Sequence, residues 1–244
     1  MNRPVCLLLM LLMAGSLSLR AQSPEQRFAA ANSDFAYGRY PEAIRGYESL
    51  IGSKSLSAPV FFNLANAYFR NGQIGKAIVN YKRALLLAPR DPDLRANLGF
   101  TLKNKGLYDS DDGVLDAFAR LLPTPWWSLL GTAAVMSSCL LACFIFFKSG
   151  VALRLRWCLL PLLLLAALGF GTAWYSVRFY NEVVVTRPEA PLLISPYEKA
   201  AEVTRLTDGS ILRSARRHGD FWLVSTTDGR RGWISAQDAE SVGF

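Results

Sequence analysis

Two long uncharged segments constrain the fold of this chain more than any other feature. Residues 127–147 contain no charged side chain, and neither do residues 157–177. A helix needs about 20 apolar residues to cross the hydrocarbon core of a bilayer, and each segment meets that length. Because a charge near the bilayer centre is costly, such segments indicate membrane spans rather than soluble core. We therefore predict a transmembrane hairpin with helices over residues 126–147 and 157–177.

The link between the two spans, residues 148–156, indicates the orientation of the hairpin. It carries three cations, Lys148, Arg154 and Arg156, and no anion. Short loops rich in Lys and Arg stay in the cytoplasm, so the chain on either side of the hairpin is expected in the opposite compartment. The sequence thus predicts a two-pass protein of the inner (cytoplasmic) membrane with both soluble domains in the periplasm.

The N-terminal residues 1–21 have the features of a signal peptide. Arg3 precedes an apolar run over residues 5–13, and small residues lie near an expected cleavage point after Ala21. If the leader is not cleaved, it becomes a short anchor that still delivers Gln22 and the following chain outside the cytoplasm. Both alternatives preserve the predicted topology.

The distribution of charge argues against nucleic-acid binding. Three charges of the net +8 lie in the short loop and two, Arg3 and Arg20, lie in the leader, while the chain from Arg178 onward has nine basic and nine acidic side chains. No basic stripe suited to nucleic acid is left, so no nucleic-acid partner is expected. The four cysteines lie in the leader or the spans, at Cys6, Cys139, Cys143 and Cys158.

An internal repeat with a period of 34 residues precedes the hairpin. Gly38, Gly72 and Gly106 are in register, and glycine at these positions permits a tight turn between two helices. The other matched sets are Tyr40 with Ile74 and Tyr108, Ala43 with Ala77, and Tyr47 with Tyr81. The second copy, from Leu64 to Pro89, resembles the tetratricopeptide (TPR) pattern. The resemblance implies TPR repeats with a capping helix over residues 24–108, and an interfacial linker follows over residues 114–125.

The first helix of each repeat is expected to line a concave groove for a partner. The predicted groove residues are Phe28, Asn32, Phe35, Phe62, Asn63, Asn66, Phe69 and Phe100. The alternative is that these aromatic residues form only the core between repeats, since helical spacing does not separate the two faces. In TPR domains that clamp a C-terminal carboxylate some groove positions are basic, but here they hold Phe28, Asp93 and Asn97. An apolar peptide or helix is therefore the expected ligand.

After the hairpin, residues 183–244 have the pattern of short strands and turns. Phe221 to Thr227 is rich in aromatic and β-branched residues, and Asp228 with Gly229 predicts a hairpin turn. The segment from Gly219 to Ile234 resembles the bacterial SH3-like domain, which implies a small all-β barrel. Trp222 and Trp233 are its candidate binding surface, although in so small a barrel they are as well explained as core.

Catalytic and metal-binding patterns are lacking in the sequence. His218 is the only histidine, and no nucleophile, metal-ligand or phosphate-loop motif accompanies it. We expect neither enzymatic activity nor a cofactor. The predicted fold class is a multidomain membrane protein that joins an all-α TPR helical repeat, a two-helix transmembrane hairpin and a small all-β SH3-like barrel.

The whole arrangement, including the cap segment over residues 91–98, resembles the BatE-like TPR proteins of the Bacteroides aerotolerance (Bat) operons. This resemblance implies work beside membrane proteins with von Willebrand factor A domains and a MoxR-type ATPase, in aerotolerance or envelope stress. Two functions stay open at this point. The chain is either an adaptor that binds a protein in the TPR groove, or an envelope sensor that binds peptidoglycan or a peptide through its SH3-like domain.

Overall fold

The structure is a computed structural model that describes residues 22–53, 55–107, 118–119, 121–122, 124–147, 157–177 and 181–243. The predicted leader, the predicted cytoplasmic loop over residues 148–156 and part of the predicted linker over residues 114–125 lie outside these ranges. Three parts are described below: a helical repeat, a pair of apolar helices and a C-terminal sheet.

Five helices form the N-terminal part, and each packs against the next in sequence. They are α1 (Pro24–Ala36), α2 (Tyr40–Gly52), α3 (Ala58–Arg70), α4 (Ile74–Leu87) and α5 (Pro92–Asn104). Side-chain caps begin two of them: Ser23 and Gln26 form a capping box before α1, and Asp91 accepts hydrogen bonds from backbone amides at the start of α5.

The 34-residue period is visible in the backbone. Gly38, Gly72 and Gly106 follow α1, α3 and α5, and their φ angles are +76°, +78° and +65°. Only glycine adopts this left-handed conformation without steric cost, which explains the residue type at all three turns. Ala43 and Ala77 are fully buried at equivalent places in α2 and α4. The prediction of a helical repeat is confirmed.

The apolar segments form helices α6 (Thr124–Phe147) and α7 (Leu159–Val177), which pack against each other. Gly131 and Gly169 allow a close approach, since a Cβ atom on Gly169 would lie 2.7 Å from the Gly131 nitrogen. Small residues at such contacts are typical of packed membrane helices. The spans Pro125–Phe147 and Leu159–Ser176 are 23 and 18 residues long, with 17% and 28% of their most apolar stretches buried. Both helices are long and apolar enough to cross a membrane.

The C-terminal part is a seven-stranded antiparallel sheet with the order β3-β2-β6-β5-β4-β1-β7. Its strands are β1 (Glu182–Val185), β2 (Glu189–Leu193), β3 (Glu202–Thr207), β4 (Ile211–His218), β5 (Phe221–Ser225), β6 (Arg231–Ser235) and β7 (Ala239–Ser241). The predicted turn at Asp228 and Gly229 joins β5 to β6, with φ of +85° at Gly229. Aliphatic side chains on one face, among them Val183, Leu192 and Ile234, form a buried cluster.

The sheet packs directly on α4, although the sequence predicted two separate soluble domains. Val184 and Val242 belong to the same buried cluster as Ile78 and Val79 of α4. An added Cβ on Gly75 would lie 2.1 Å from the Val185 carbonyl oxygen, so the helix backbone and the strand end nearly touch. The helical repeat and the sheet therefore share one core.

Candidate protein-binding groove

The predicted groove residues lie on α1, α3 and α5, the first helix of each repeat and the capping helix. Phe28 of α1 contacts Tyr47 of α2 with ring centroids 5.9 Å apart, and Phe62 of α3 contacts Tyr81 of α4 at 6.1 Å. The two pairs are one sequence period apart and have nearly the same geometry. Each phenylalanine is half-buried, so one side of its ring packs on the repeat core and the other faces solvent.

The asparagines are oriented by the same tyrosines. The Tyr47 hydroxyl donates to the Asn32 Oδ1 atom at 2.6 Å, and the Tyr81 hydroxyl donates to the Asn66 Oδ1 atom at 2.6 Å. Asn63 joins the two repeats because its Nδ2 atom donates to the Asn32 Oδ1 atom at 2.9 Å. With its carbonyl oxygen occupied, each of Asn32 and Asn66 presents an Nδ2 donor, which suits an acceptor such as a peptide carbonyl.

Burial keeps these tyrosines in the donating form. Desolvation raises the pKa of Tyr47 to about 12, an effect opposed by a hydrogen bond with Asn63. Desolvation also raises the pKa of Tyr81 to about 12, opposed by a hydrogen bond with Thr101. Both phenols are therefore neutral at physiological pH, and each asparagine keeps a fixed orientation.

Two further aromatic pairs include predicted groove residues, and one of them reaches the capping helix. Phe35 packs against Tyr40 with centroids 5.6 Å apart, and Phe69 packs against Phe100 at 5.9 Å. Phe35 and Phe69 are half-buried, whereas Phe100 is 57% exposed. Phe35 and Phe69 thus pack on the repeat core, while the Phe100 ring is open to solvent.

The groove positions that are basic in carboxylate-binding TPR domains carry no positive charge in this chain, which does not favour an anionic ligand. Asp93 and Asn97 occupy two of them, and the Asn97 Nδ2 atom donates to the Asp93 carbonyl within α5 at 2.8 Å. Phe28 occupies the third. At the other end of the groove Asp34 is paired with Arg39 at 2.7 Å. The surface that remains is aromatic with amide donors.

The two tryptophans of the sheet do not form one surface. Strand pairing places Trp222 opposite Ile234, and Leu223 opposite Trp233. Because successive side chains of a strand point to opposite faces, Trp222 lies on the inner face and Trp233 on the outer face. Trp222 packs against the buried cluster and under the Arg217 guanidinium, 5.0 Å from its ring centre, while the Trp233 ring contacts His218.

Several residues that join the helical repeat to the sheet escaped the sequence analysis. Lys82 of α4 and Glu182 of β1 form a buried ion pair with 2.8 Å between Nζ and Oε2. Arg83 binds Glu240 at 2.8 Å and the Ser241 carbonyl at 2.6 Å. Together with the shared core, these bonds fix the sheet on α4. This helix is the second helix of its repeat and carries none of the predicted groove residues.

One family comparison bears on this site. Residues 65–106 match the family described as TPR repeat. The chain contains a TPR repeat. The matched range begins within α3, includes α4 and ends after α5, so it contains Asn66, Phe69 and Phe100 of the predicted groove. A TPR repeat indicates protein–protein interaction, and the chain is therefore expected to have protein partners. No curated protein shows significant similarity to this chain.

Possible metal ligands are dispersed in the described ranges. Within them, no group of three or more His, Cys, Asp or Glu side chains is placed to hold a metal ion. The His218 ring packs edge-on against Trp233, with centroids 6.1 Å apart, near the tip of the β4–β5 hairpin.

Proposed function

We propose that this chain is a non-enzymatic adaptor, anchored in the inner membrane, that holds a partner protein in its TPR groove. The observation that carries the proposal is the contact between Phe69 of α3 and Phe100 of α5, in which the Phe100 ring is exposed. Aromatic side chains on adjacent first helices suit an apolar segment of a partner, either extended or helical. The Nδ2 donors of Asn32 and Asn66 then bind its backbone carbonyls.

The packing of the sheet on α4 supports the proposed topology. Two chain segments that share a core and a buried ion pair, Lys82 with Glu182, belong in one compartment. The two apolar helices that separate them in sequence then cross the membrane as a hairpin. The three cations of residues 148–156 favour the cytoplasm for the link, which leaves the helical repeat and the sheet in the periplasm.

The proposed partners follow from the resemblance to the BatE-like proteins. We propose membrane proteins with von Willebrand factor A domains as the ligands of the groove, within an aerotolerance or envelope-stress complex of the Bat/MoxR type. In this arrangement the sheet, which we propose to be an SH3-like barrel, holds the TPR stack at a fixed place above the membrane.

Phe100 offers the sharpest test of the groove because its ring is exposed, so its replacement leaves the core intact. Full-length protein would be co-purified from membranes with a co-expressed von Willebrand A-domain protein. We expect Phe100→Ser to weaken capture about thirtyfold, the effect of removing an aromatic anchor worth about 2 kcal/mol. Tyr37→Ser is the matched control, since Tyr37 is 75% exposed and is not a groove residue. Equal capture by both variants would contradict the proposed groove.

A second measurement tests the topology alone. In a variant without native cysteines, Ser149→Cys lies in the link between the spans. A membrane-impermeant thiol reagent is expected to label it only after the inner membrane is opened. Labelling in intact spheroplasts would place the link outside and reject the proposed orientation.

One observation favours the second function, recognition of a cell-wall peptide or saccharide. A cleft of about 390 Å³ lies where the end of the capping helix meets the sheet. Its lining includes apolar residues such as Leu107 and Leu206, the hydroxyl residues Thr204, Ser210, Thr226 and Thr227, and the charged residues Arg205, Asp228 and Arg230. Binding of isolated peptidoglycan fragments to the full-length protein, lost in Thr226→Val but retained in Phe100→Ser, would favour this function over the adaptor.

A further inference from the structure

The hairpin of β4 and β5 extends beyond the rest of the sheet in one direction. Pairing of β1 with β4 ends where Glu182 lies opposite Arg213, and β4 continues for five residues to His218. At about 3.3 Å per residue, the tip at Gly219 and Asp220 lies roughly 16 Å past the start of β1. Since the two strands are antiparallel, the tip points toward the side from which the chain enters β1.

That side is the side of the apolar hairpin. Helix α7 ends at Val177 and β1 begins at Glu182, so five residue steps separate them. An extended chain covers at most about 3.5 Å per residue, which keeps Glu182 within roughly 17 Å of the end of α7. The projection of the β4–β5 tip thus matches the greatest distance that the connection allows. With the connection extended along the axis of β1, a tip on this side would lie at the level of the end of α7.

The tip carries side chains suited to the surface of a bilayer. Residues 213–222 contain three cations, Arg213, Arg216 and Arg217, and one anion, Asp220, which gives +2. In the part of the chain that the structure describes, Arg216 is exposed and forms no ion pair. Arg217 is held over Trp222 and donates to the Gly219 carbonyl at 3.0 Å, so this cation is fixed at the tip.

Aromatic rings accompany Arg216 on the outer face, whereas Arg217 lies opposite Trp222 on the inner face. His218 and Phe221 are paired across the hairpin, and Trp233 lies beside His218. Phe221 and Trp233 are half-buried and keep part of each ring in solvent. Amphipathic rings and arginines are the side chains that collect at the interface between lipid and water.

We propose that the tip of the β4–β5 hairpin binds the anionic headgroups of the membrane in which α6 and α7 are anchored. Arg216 and Arg217 face lipid phosphates, and Phe221 and Trp233 lie at the headgroup level. Positive charge next to a membrane surface is attracted to anionic lipid, and a tethered tip is held at high local concentration. The inference rests on the proposed membrane anchor, and it assigns the sheet a second point of attachment.

The test uses the full-length protein in nanodiscs, with the four native cysteines replaced by serine. An environment-sensitive fluorophore is placed by Ala215→Cys near the tip, or by Thr227→Cys at the opposite end of β5 as the control. Both positions are exposed and uncharged. Nanodiscs of phosphatidylcholine alone are compared with nanodiscs that also contain phosphatidylglycerol.

We expect the emission of the Ala215 label to shift to shorter wavelength in the anionic nanodiscs, and the Thr227 label to be unchanged. High salt and Arg216→Gln should each reduce the shift, whereas Arg216→Lys, which keeps the charge, should retain it. Equal emission of the Ala215 label in both lipids, from protein that is incorporated in the nanodiscs, overturns this inference and leaves the anchor standing. If the emission shift occurs only with two copies of the protein per nanodisc, the tip contacts a second copy instead of lipid, and the inference is also overturned. Failure to incorporate at all rejects the anchor and the inference together.

Discussion

The carboxylate of Asp208 accepts a hydrogen bond from the Gly75 backbone amide at 3.0 Å, across 133 positions of sequence. Gly75 lies in the first turn of α4, and Gln73, the residue that precedes this helix, provides no side-chain cap. An acceptor at a helix N-terminus satisfies backbone amides that have no partner within the helix. A negative charge there also interacts favourably with the positive end of the helix dipole. The loop between β3 and β4 therefore supplies the cap that the TPR repeat lacks.

Replacement of this cap should destabilise the helical repeat from a distance. We expect Asp208→Ala to lower the free energy of unfolding by about 1 kcal/mol, the usual cost of losing an N-cap acceptor. Asp208→Asn keeps an acceptor and should lose less. The measurement is denaturant unfolding of the full-length protein in detergent, followed by far-ultraviolet circular dichroism. An unchanged midpoint for the alanine variant would show that water replaces the carboxylate without loss.

The buried ion pair of Lys82 and Glu182 should show strong coupling. Their side chains are only 7% and 12% exposed, so the removal of one charge leaves the other in a poorly solvated place. Single variants Lys82→Met and Glu182→Leu should each lose about 3 to 5 kcal/mol of stability. The double variant Lys82→Met with Glu182→Leu should recover much of that loss. A double-mutant cycle measures the coupling, and additive losses would contradict it.

Two helical glycines allow a matched comparison of packing. An added Cβ on Gly75 would meet the Val185 carbonyl oxygen at 2.1 Å, whereas one on Gly99 of α5 has no neighbour within 4 Å. Gly75→Ala should therefore separate the sheet from α4 and destabilise both parts. Gly99→Ala should be neutral or stabilise by about 0.5 to 1 kcal/mol, because alanine favours the helix. Limited proteolysis between the repeat and the sheet, compared for the two variants, would reveal the difference.

Alkaline pH should unfold the TPR stack through its repeated tyrosines. Burial raises the pKa of Tyr47 and of Tyr81 from about 10 to about 12, so the folded state favours the neutral phenols. Their stabilising contribution is complete below pH 10 and is lost as the pH rises through 12. Phenolate absorbance and circular dichroism should change together in this window. In Tyr47→Phe with Tyr81→Phe, helix loss should no longer follow the titration of these two groups.

The periodic features of the sequence determined much of the fold. Glycine at positions 38, 72 and 106 permits a left-handed turn, and the structure has one at each place. The β5–β6 hairpin also follows from local chemistry, since Asp228 and Gly229 fit its turn. In both cases the sequence signal and the structure it specifies lie within a few residues of each other. Such signals need no knowledge of the rest of the chain.

The contact between α4 and the sheet could not be predicted in the same way. Its bonds join residues 100 or more positions apart, such as Lys82 with Glu182, and no local pattern specifies the partner. One signal was present: Ile74, Ile78 and Val79 give α4 apolar side chains beyond those that face α3. A helix that is apolar on several sides is expected to be buried by several neighbouring elements. The pattern does not identify which elements these are.

The faces of the two tryptophans illustrate a similar limit. Alternation along β5 places Trp222 and Leu223 on opposite faces, but the face of Trp233 depends on which residue of β5 lies opposite it. A change of one residue in that pairing would bring both rings to the same side. The pairing is fixed by the turn and by packing of the whole sheet, so the sequence left the question open.

The mutual packing of the repeat and the sheet also has a consequence for synthesis of the protein. The helices of the repeat leave the ribosome first, and the residues that complete the environment of α4 leave it last, after both apolar helices. Until Asp208 and Glu182 arrive, the first turn of α4 has no cap and Lys82 lacks its acidic partner on β1. On the proposed topology, closure of the repeat and the sheet would require insertion of the hairpin between them, because only then would both parts meet on one side. On the same topology, a chain that stops before the sheet, or inserts a single helix, would leave the apolar side of α4 uncovered.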